Sequence, residues 1–528
     1  MYAALTRYGL PFKFIISMAS IGIVLKFGLG ITKRVPLLKY DAFTSQKRTL
    51  TKLLTKAQDT YFGQEYNFKK ILQYDDRTKA FREQVPIFNY ESIFKDWWRM
   101  TLEGEPNVCW PGKVQYFALS SGTSSGASKY IPVTAAMLKS IQRASVKQIF
   151  ALANCDLPEN FYEKGILMLG GSTNLEFNGI HYAGDLSGIT TGRLPFWFQP
   201  FYKPGKEISR TRNWQEKLDL ITREAHHWDI GAIVGVPSWF QLLLERIIEH
   251  YQVENIHQIW PNLRVFNHGG ISFDPYRKSF DRLMGTPMTY LETYLASEGF
   301  VAYQRFPDAE GMRMLIRNGI YFEFIPFNAT NVDEDGNIKS DAKSLTIDEV
   351  EPDTDYVLLL STCAGAWRYS IGDVIRFTDV VKKDIKITGR TKHFLSLCGE
   401  HLSVENMNKA IEMVSDTLNV RIKEFTVCGE PYEGMFAHHW YISADNEVNI
   451  ELLREKLDFY LKELNDDYKV ERGHALKAVL VDILPHKLFL GWLKEQGLEG
   501  AQIKFPRVLK KNQLESWQAF ISKNTVAP

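Results

Sequence analysis

The chain is poor in cysteine. Its 528 residues hold five (Cys109, Cys155, Cys363, Cys398 and Cys428), widely scattered and without a C-x-x-C pair. So sparse and odd a set excludes a disulfide framework and a zinc ribbon, and predicts reduced thiols in a cytoplasmic setting. An excess of charge of one sign is missing as well: 63 basic and 62 acidic residues leave a net charge of +1. Nucleic-acid binding draws on a basic surplus, so no nucleic-acid partner is expected. There is no internal repeat, no low-complexity tract, and no Walker loop, G-x-G-x-x-G or H-E-x-x-H. The pairs His226-His227 and His438-His439 are adjacent. Neighbouring side chains diverge, so both pairs read as structural rather than as metal sites. The N-terminal apolar run, 14–25, is twelve residues flanked by Lys13 and Lys26, and extending it to 10–31 takes in two lysines. A spanning helix needs about 20 predominantly apolar residues. Three readings of residues 1–40 therefore stand: a helix packed on the main domain or lying at a membrane surface, a membrane anchor, and a processed leader. Phe27-Gly28-Leu29-Gly30 makes a poor cleavage site for the last.

What the chain does have is Ser120-Ser121-Gly122-Thr123-Ser124-Ser125-Gly126-Ala127-Ser128-Lys129, ten residues with six hydroxyls, two glycines and a closing lysine. Glycines let consecutive N–H groups converge on an anion, hydroxyls add donors, and Lys129 supplies a compact positive charge. This is loop chemistry for a polyphosphate. The preceding 114–119 reads as a strand. A Tyr-Ile-Pro connector then leads to a helix over 135–153. A flexible linker seldom sits between an apolar strand and an apolar helix. Gly122-Thr123-Ser124-Ser125-Gly126 also fits the G-x-S-x-G pattern of hydrolases. That elbow turns straight from strand into helix, whereas Ser128, Lys129 and Pro132 intervene here.

The length suggests two to four domains at about 150 residues each. Hydrophobic content of 45% and charged content of 24% are those of a globular protein. Leu50, Leu53, Leu54 and Ala57 have helical spacing within 44–60, with Gly63 as the expected C-cap. Short apolar runs at 165–171 and 232–236 alternate with helical patterns such as 239–251, which argues for α/β layers. Residues 331–336 look briefly like a calcium loop. Its twelfth position is Ala342 where a bidentate Glu is required, so a turn at Asp335-Gly336 is expected instead. Composition shifts near 384–392. Beyond it the chain is richer in charge and in helix, with patterns at 404–418 and 450–464. From about Leu488 come a helix, a glycine turn and a basic segment.

Several short elements resemble those of one superfamily, in its order. The 120–129 loop resembles the ATP-phosphate loop of the acyl-adenylate-forming enzymes. It is closest to the Ser-Ser-Gly-Thr-Ser loop of the Gretchen Hagen family of acyl-acid amido synthetases, whose downstream Lys and Pro are matched by Lys129 and Pro132. Thr60-Tyr61-Phe62-Gly63 resembles the N-terminal region of that family's bacterial members. Phe266-Asn267-His268-Gly269-Gly270-Ile271 resembles its adenine-side strand and Gly-Gly turn. His268 is left without a catalytic role. Tyr294-Leu295-Ala296-Ser297-Glu298 resembles its Tyr-x-x-Ser-Glu element, in which the Glu helps to hold magnesium. Arg368-Tyr369-Ser370-Ile371-Gly372-Asp373 resembles the element whose Asp reads the ribose. This chain has Arg-Tyr-Ser where the superfamily often has Tyr-Arg-Thr. Gly389-Arg390-Thr391-Lys392 is similar to the interdomain hinge, where the Arg touches ribose or phosphate. Gly500-Ala501-Gln502-Ile503-Lys504-Phe505-Pro506-Arg507 is similar to the terminal motif that carries a catalytic lysine, with Lys510 and Lys511 as rivals to Lys504.

The resemblance implies an α/β plus α+β protein. A large N-terminal domain of layered αβαβα type (41–388) follows the 1–40 segment and precedes a hinge at 389–392 and a smaller, mobile C-terminal α+β domain (393–528). It implies an ATP- and Mg²⁺-dependent ligase that converts a carboxylic acid into acyl-AMP, releases pyrophosphate and passes the acyl group to an amine, an amino acid in this family. Implied catalytic residues are Lys504 and Lys129. Implied nucleotide contacts are Ser120, Ser121, Gly122, Thr123, Ser124, Lys129, Gly269, Gly270, Tyr294, Ser297, Glu298, Asp373 and Arg390, with Glu298 on the metal. An acyl-CoA ligase, or a nucleotide-binding protein without turnover, are the alternatives.

Overall fold

The computed structural model describes residues 41–525 apart from 121–128, 197, 271, 334–335, 392–394, 396–401, 403, 434, 446–447, 466–467, 470–471, 473–475 and 499–504. The N-terminal apolar run, Ser121 to Ser124 of the loop, Lys392 and Lys504 therefore lie outside the described residues. Helix α1 (Ala42–Ala57) starts where Asp41 accepts from the Thr44 N–H at 2.8 Å, and buries Leu50, Leu53, Leu54 and Ala57. Gly63 is not its C-cap. The helix stops at Ala57, and Thr60 caps a second short helix, Tyr61–Glu65, with Gly63 inside it. A Cβ on Gly63 would collide with the Ala57 carbonyl, so close crossing of two helices accounts for this glycine.

Strand β1 (Tyr116–Ser120) is followed by β2 (Lys129–Val133) and helix α2 (Ala135–Ala151). The expected Tyr-Ile-Pro connector is in fact β2, paired antiparallel to β1 with Ser120 opposite Lys129. Burial of Ile131 and Val133 beneath the hairpin explains why this stretch is extended. The hairpin belongs to a four-stranded sheet with Tyr182–Gly184 and Glu176–Phe177.

The central sheet has eleven strands. Five of them carry the site: β3 (Val265–Gly269), β4 (Thr289–Ala296), β5 (Gly299–Tyr303), β6 (Tyr369–Asp379) and β7 (Asp384–Arg390). On one side of β4 pairing is parallel, through β3, Ile230–Gly235, Gly165–Met168 and Tyr202–Lys203. On the other side it is antiparallel, through β5, Met312–Met314, β7, β6, Asp355–Thr362 and Ile320–Pro326. Helices Trp214–Glu224, Pro237–Tyr251 and Asp274–Leu283 cover the parallel part around Leu218, Leu243, Phe266 and Phe280. Helices α1 and α2 and the β1–β2 hairpin share a second core with Phe300, Phe322 and Trp367.

The C-terminal part builds a three-stranded sheet, β8 (Ile422–Tyr432), β9 (Met435–Ala444) and β10 (Leu476–Ile483). Helices α3 (Val404–Leu418) and α4 (Ile450–Leu464) lie on it, at the positions the sequence pattern predicts. The basic segment near the end opens a helix, Lys511–Thr525, whose Trp517 packs on Phe489, Trp492 and Phe505. Among the described residues no helix is long and apolar enough to cross a membrane.

The edge strand Ile320–Pro326 is finished by a side chain. Gln46 of α1, 1% exposed, donates to the Ile316 and Ile320 carbonyls at 2.7 and 3.1 Å and accepts from the Phe322 N–H at 2.8 Å. Its amide takes the place of one more strand. Gln46→Ala should strand three backbone groups, two of them buried, and lower stability by about 2–3 kcal/mol, against little change for the exposed Lys52→Ala. Chemical denaturation of both variants checks this; equal midpoints would show that Gln46 contributes nothing.

Candidate active site

The parallel strands β3 and β4 end side by side, and crevices at such strand ends are where α/β sheets hold ligands. Strand β3 closes on Gly269, opposite Thr293 in β4. A Cβ on Gly269 would run into the Thr293 carbonyl, and Gly270 adopts a left-handed φ of +84°. Gly269 thus lets β3 and β4 approach closely, and Gly270 turns the chain away from the strand end. Strand β4 ends in the two-residue turn Ser297-Glu298 that leads into β5.

Three strands converge on the carboxylate of Asp373. Arg390, its cross-strand partner, approaches Oδ1 with Nε at 2.8 Å. The Tyr294 hydroxyl donates to Oδ2. Burial and the Asp373 charge hold the Tyr294 phenol well above its usual range, so it stays a donor. Arg390 also donates to the Ile371 carbonyl at 3.1 Å, while Gly372, at φ +84°, turns the chain into Asp373. Each Asp373 oxygen keeps a lone pair after these bonds, an arrangement suited to two adjacent hydroxyls.

Glu298 is 8% exposed. Burial pushes its carboxyl up to about 7, with the Asp373 charge adding and Arg390 and Lys129 opposing. Burial, with the Glu298 charge close by, holds the Tyr369 phenol well above its usual range. Lys129 lies at the mouth of the hairpin opposite Ser120, with Nζ 5.1 Å from the centre of the Tyr90 ring. Tyr90 is fixed in turn by the Tyr130 N–H, which donates to its hydroxyl at 2.9 Å. From Lys129, Gly372 and Arg390 a cleft of about 850 Å³ opens past Phe88, Tyr90 and Lys339.

Of the expected residues, Ser120 and Lys129 stand at the open end of the hairpin, Gly269, Gly270, Tyr294, Ser297, Glu298 and Arg390 at or beside strand ends of the central sheet, and Asp373 within β6. Ser121, Gly122, Thr123, Ser124 and Lys504 lie outside the described residues. Of the rivals to Lys504, Lys510 is exposed ahead of the last helix. Sequence reasoning singled out neither Tyr90, whose ring contact with Lys129 no local motif marks, nor Tyr369, which it quoted only as part of the 368–373 element. Arg368 is used entirely by the fold. With φ +42° it turns inward and donates to Glu323, Ser344 and the Arg82 and Val85 carbonyls. His268 is buried against Phe273, and burial with the Arg277 charge holds it at about 3, so it is neutral and a poor base.

Among the described residues no group of three or more His, Cys, Asp or Glu could hold a metal unaided. Glu298 and the nearby Asp373 fit the other way of holding Mg²⁺, one or two carboxylates completed by phosphate oxygens and water. Glu298 binds a proton in the folded state between about pH 4.5 and 7, where the unfolded chain has lost it. Its contribution to stability is therefore present at low pH and lost as pH rises through 7. Without nucleotide or divalent cation, Glu298→Gln should abolish this loss and be more stable than the parent at pH 8, on the order of 2–3 kcal/mol. Denaturation of both proteins from pH 5 to 8 decides it; parallel curves would place Glu298 in water.

Comparison with known proteins bears on this geometry. The GH3 family N-terminal domain matches residues 32–179 and 172–288, the central domain 313–390 and the C-terminal domain 405–513. Indole-3-acetic acid-amido synthetase GH3.4 of Arabidopsis thaliana is 28% identical over 473 residues, 76% of this chain and 77% of that protein. Jasmonoyl-L-amino acid synthetase JAR4 of Nicotiana attenuata is 21% identical over 94% of this chain and 96% of its own. In fold, the chain is similar to the acyl acid amido synthetase GH3.15 in complex with 2,4-DB, at a TM-score of 0.74 and 17% identity over 97% of each chain. It is also similar to 2-hydroxyisobutyryl-CoA ligase in the postadenylation state, at 0.59 and 11% over 92% of each. The layered α/β architecture is that of the adenylate-forming ligases, and family models covering most of its length make this chain a member of the GH3 family.

Proposed function

We propose that this protein is an ATP-dependent acyl-acid amido synthetase, an acid–amine ligase that forms AMP. What supports the reading most is the meeting of Lys129, Tyr294, Glu298 and Arg390, at the ends of β2, β4 and β7, with Asp373 within β6, in a chain of the GH3 family. Its substrates are a small carboxylic acid and an amine of the amino-acid class. Among the described residues four thiols are free, three of them buried, in keeping with a cytoplasmic setting.

The chemistry follows from charge. Adenylation joins a carboxylate to a triphosphate, so the site has to neutralise both and hold the carboxylate in line with the α-phosphorus. Asp373, braced by Tyr294 and Arg390, accepts from the ribose hydroxyls. The base lies against the Gly269-Gly270 turn. Lys129 and the hydroxyl-rich loop neutralise the phosphates. Mg²⁺, when bound, screens the charge of the phosphate oxygens, with Glu298 as its protein ligand. Lys504 approaches the α-phosphate from the C-terminal part, about a hinge at 389–392, and the same part then withdraws to admit the amine.

Acid-dependent release of AMP and pyrophosphate from ATP and Mg²⁺, in a screen of acids with amino acids or coenzyme A as acceptor, tests the reading. Release of ADP and orthophosphate would reject it, and turnover with coenzyme A alone would favour the CoA-ligase alternative. Asp373→Ala should weaken nucleotide binding by about 1.5–3 kcal/mol with the fold retained, as read by calorimetry. Lys504→Ala should slow acyl-AMP formation by a factor on the order of 10² and leave aminolysis of supplied acyl-AMP nearly intact. Equal losses in both steps would remove Lys504 from the mechanism in favour of Lys510 or Lys511.

A further inference from the structure

Among the described residues, the apolar clusters of the large part end at Ile385 and those of the C-terminal part begin at Leu395, and no cluster contains members of both. What joins the two across helices Pro237–Tyr251 and Asp274–Leu283 is polar. Arg421, ahead of β8 and 19% exposed at its side chain, donates from Nε to Ser279 Oγ at 2.9 Å and from Nη2 to Glu245 Oε1 at 3.0 Å. Its own side supplies Asp445, with Oδ2 at 3.4 Å from Nη1. Lys278 pairs with Asp416 of α3. Arg507 pairs with Glu424, lies 4.2 Å from the centre of the Phe425 ring, and sets its charge near the buried Tyr276 phenol.

Tyr276, Lys278 and Ser279 all belong to helix Asp274–Leu283, which begins four residues after Gly270. The seam therefore bears on the element that leads out of the glycine turn at the candidate site. A joint made of ion pairs, with separate apolar cores on either side, opens at far lower cost than one that splits a core.

We propose that Arg421 is a positioning residue. With Glu245 and Ser279 it latches the C-terminal part in the orientation that serves acyl-AMP formation, and the latch opens for acyl transfer. This rests on the amido-synthetase reading. Arg421 acts only through the placement of the C-terminal part and touches no substrate.

The test uses the full chain with Arg421→Met, Glu245→Gln, and the exchanged pair Arg421→Glu with Glu245→Arg. ATP–pyrophosphate exchange should fall about fivefold or more relative to aminolysis of supplied acyl-AMP in both single variants. The exchanged pair should restore the ratio. Small-angle scattering without substrates should show a larger radius of gyration for the single variants, and for the parent at high salt. Both rates falling together in step with the melting temperature, or an unchanged ratio, would overturn the latch. If the parent forms no AMP with any acid, the functional reading fails, and scattering then decides alone: an unchanged radius overturns the latch and an enlarged one upholds it.

Discussion

The carboxylate of Asp373 is the point at which the candidate site is tied together. It is largely buried, so it needs partners, and it takes them from two other strands: Arg390 on β7 and Tyr294 on β4. These three strands are not neighbours throughout, because β5 and Met312–Met314 lie between β4 and β7 in the sheet. Closing the contact from Tyr294 to Asp373 therefore requires the sheet to twist, as extended sheets do. The same contact sets where the β4–β5 turn stands, and with it Glu298.

Glu298 illustrates how such a site carries unfavourable electrostatics in the empty protein. Its carboxyl is buried beside another carboxylate, with Lys129 and Arg390 as the nearby positive charges that oppose the shift. A fold selected for stability alone would place an amide or an apolar group there. A carboxyl that gives up its proton readily to a cation, and is otherwise held neutral, is suited to a ligand that arrives with its own metal. The glycines at 269 and 270 show the same priority in the backbone, where close approach takes precedence over side-chain packing.

The C-terminal part is built to be separate. Its sheet is three-stranded and carries helices α3 and α4, and its second cluster centres on Trp517. The seam between the parts concentrates on one helix, Asp274–Leu283, through Tyr276, Lys278 and Ser279. That helix packs Phe280 on Phe266 of β3, at 5.0 Å between ring centres, so a shift in the seam is passed to a rigid aromatic stack rather than absorbed by a loop.

The sequence by itself determined what is local. Apolar spacing placed α1, α3 and α4, and the short runs bounded by glycine placed Gly165–Met168 and Ile230–Gly235. The contiguous elements around Lys129, Ser297-Glu298, Gly372-Asp373 and Gly389-Arg390 stood out as candidates because each groups its polar residues and glycines within a few positions. Tertiary structure decided everything that depends on distant pairs. Lys129–Val133 became a strand because the β1 edge was there to pair with it, and Gly63 fits against Ala57 rather than ending a helix. The Lys129–Tyr90 and Arg421–Glu245 contacts join residues far apart in the chain, and no periodicity or spacing encodes them. Arg368 carries the same lesson within a short motif: its neighbours were read as a ribose-side element, yet a buried Glu323 and two backbone carbonyls draw its guanidinium into the core, because a desolvated carboxylate binds whichever cation the fold brings within reach.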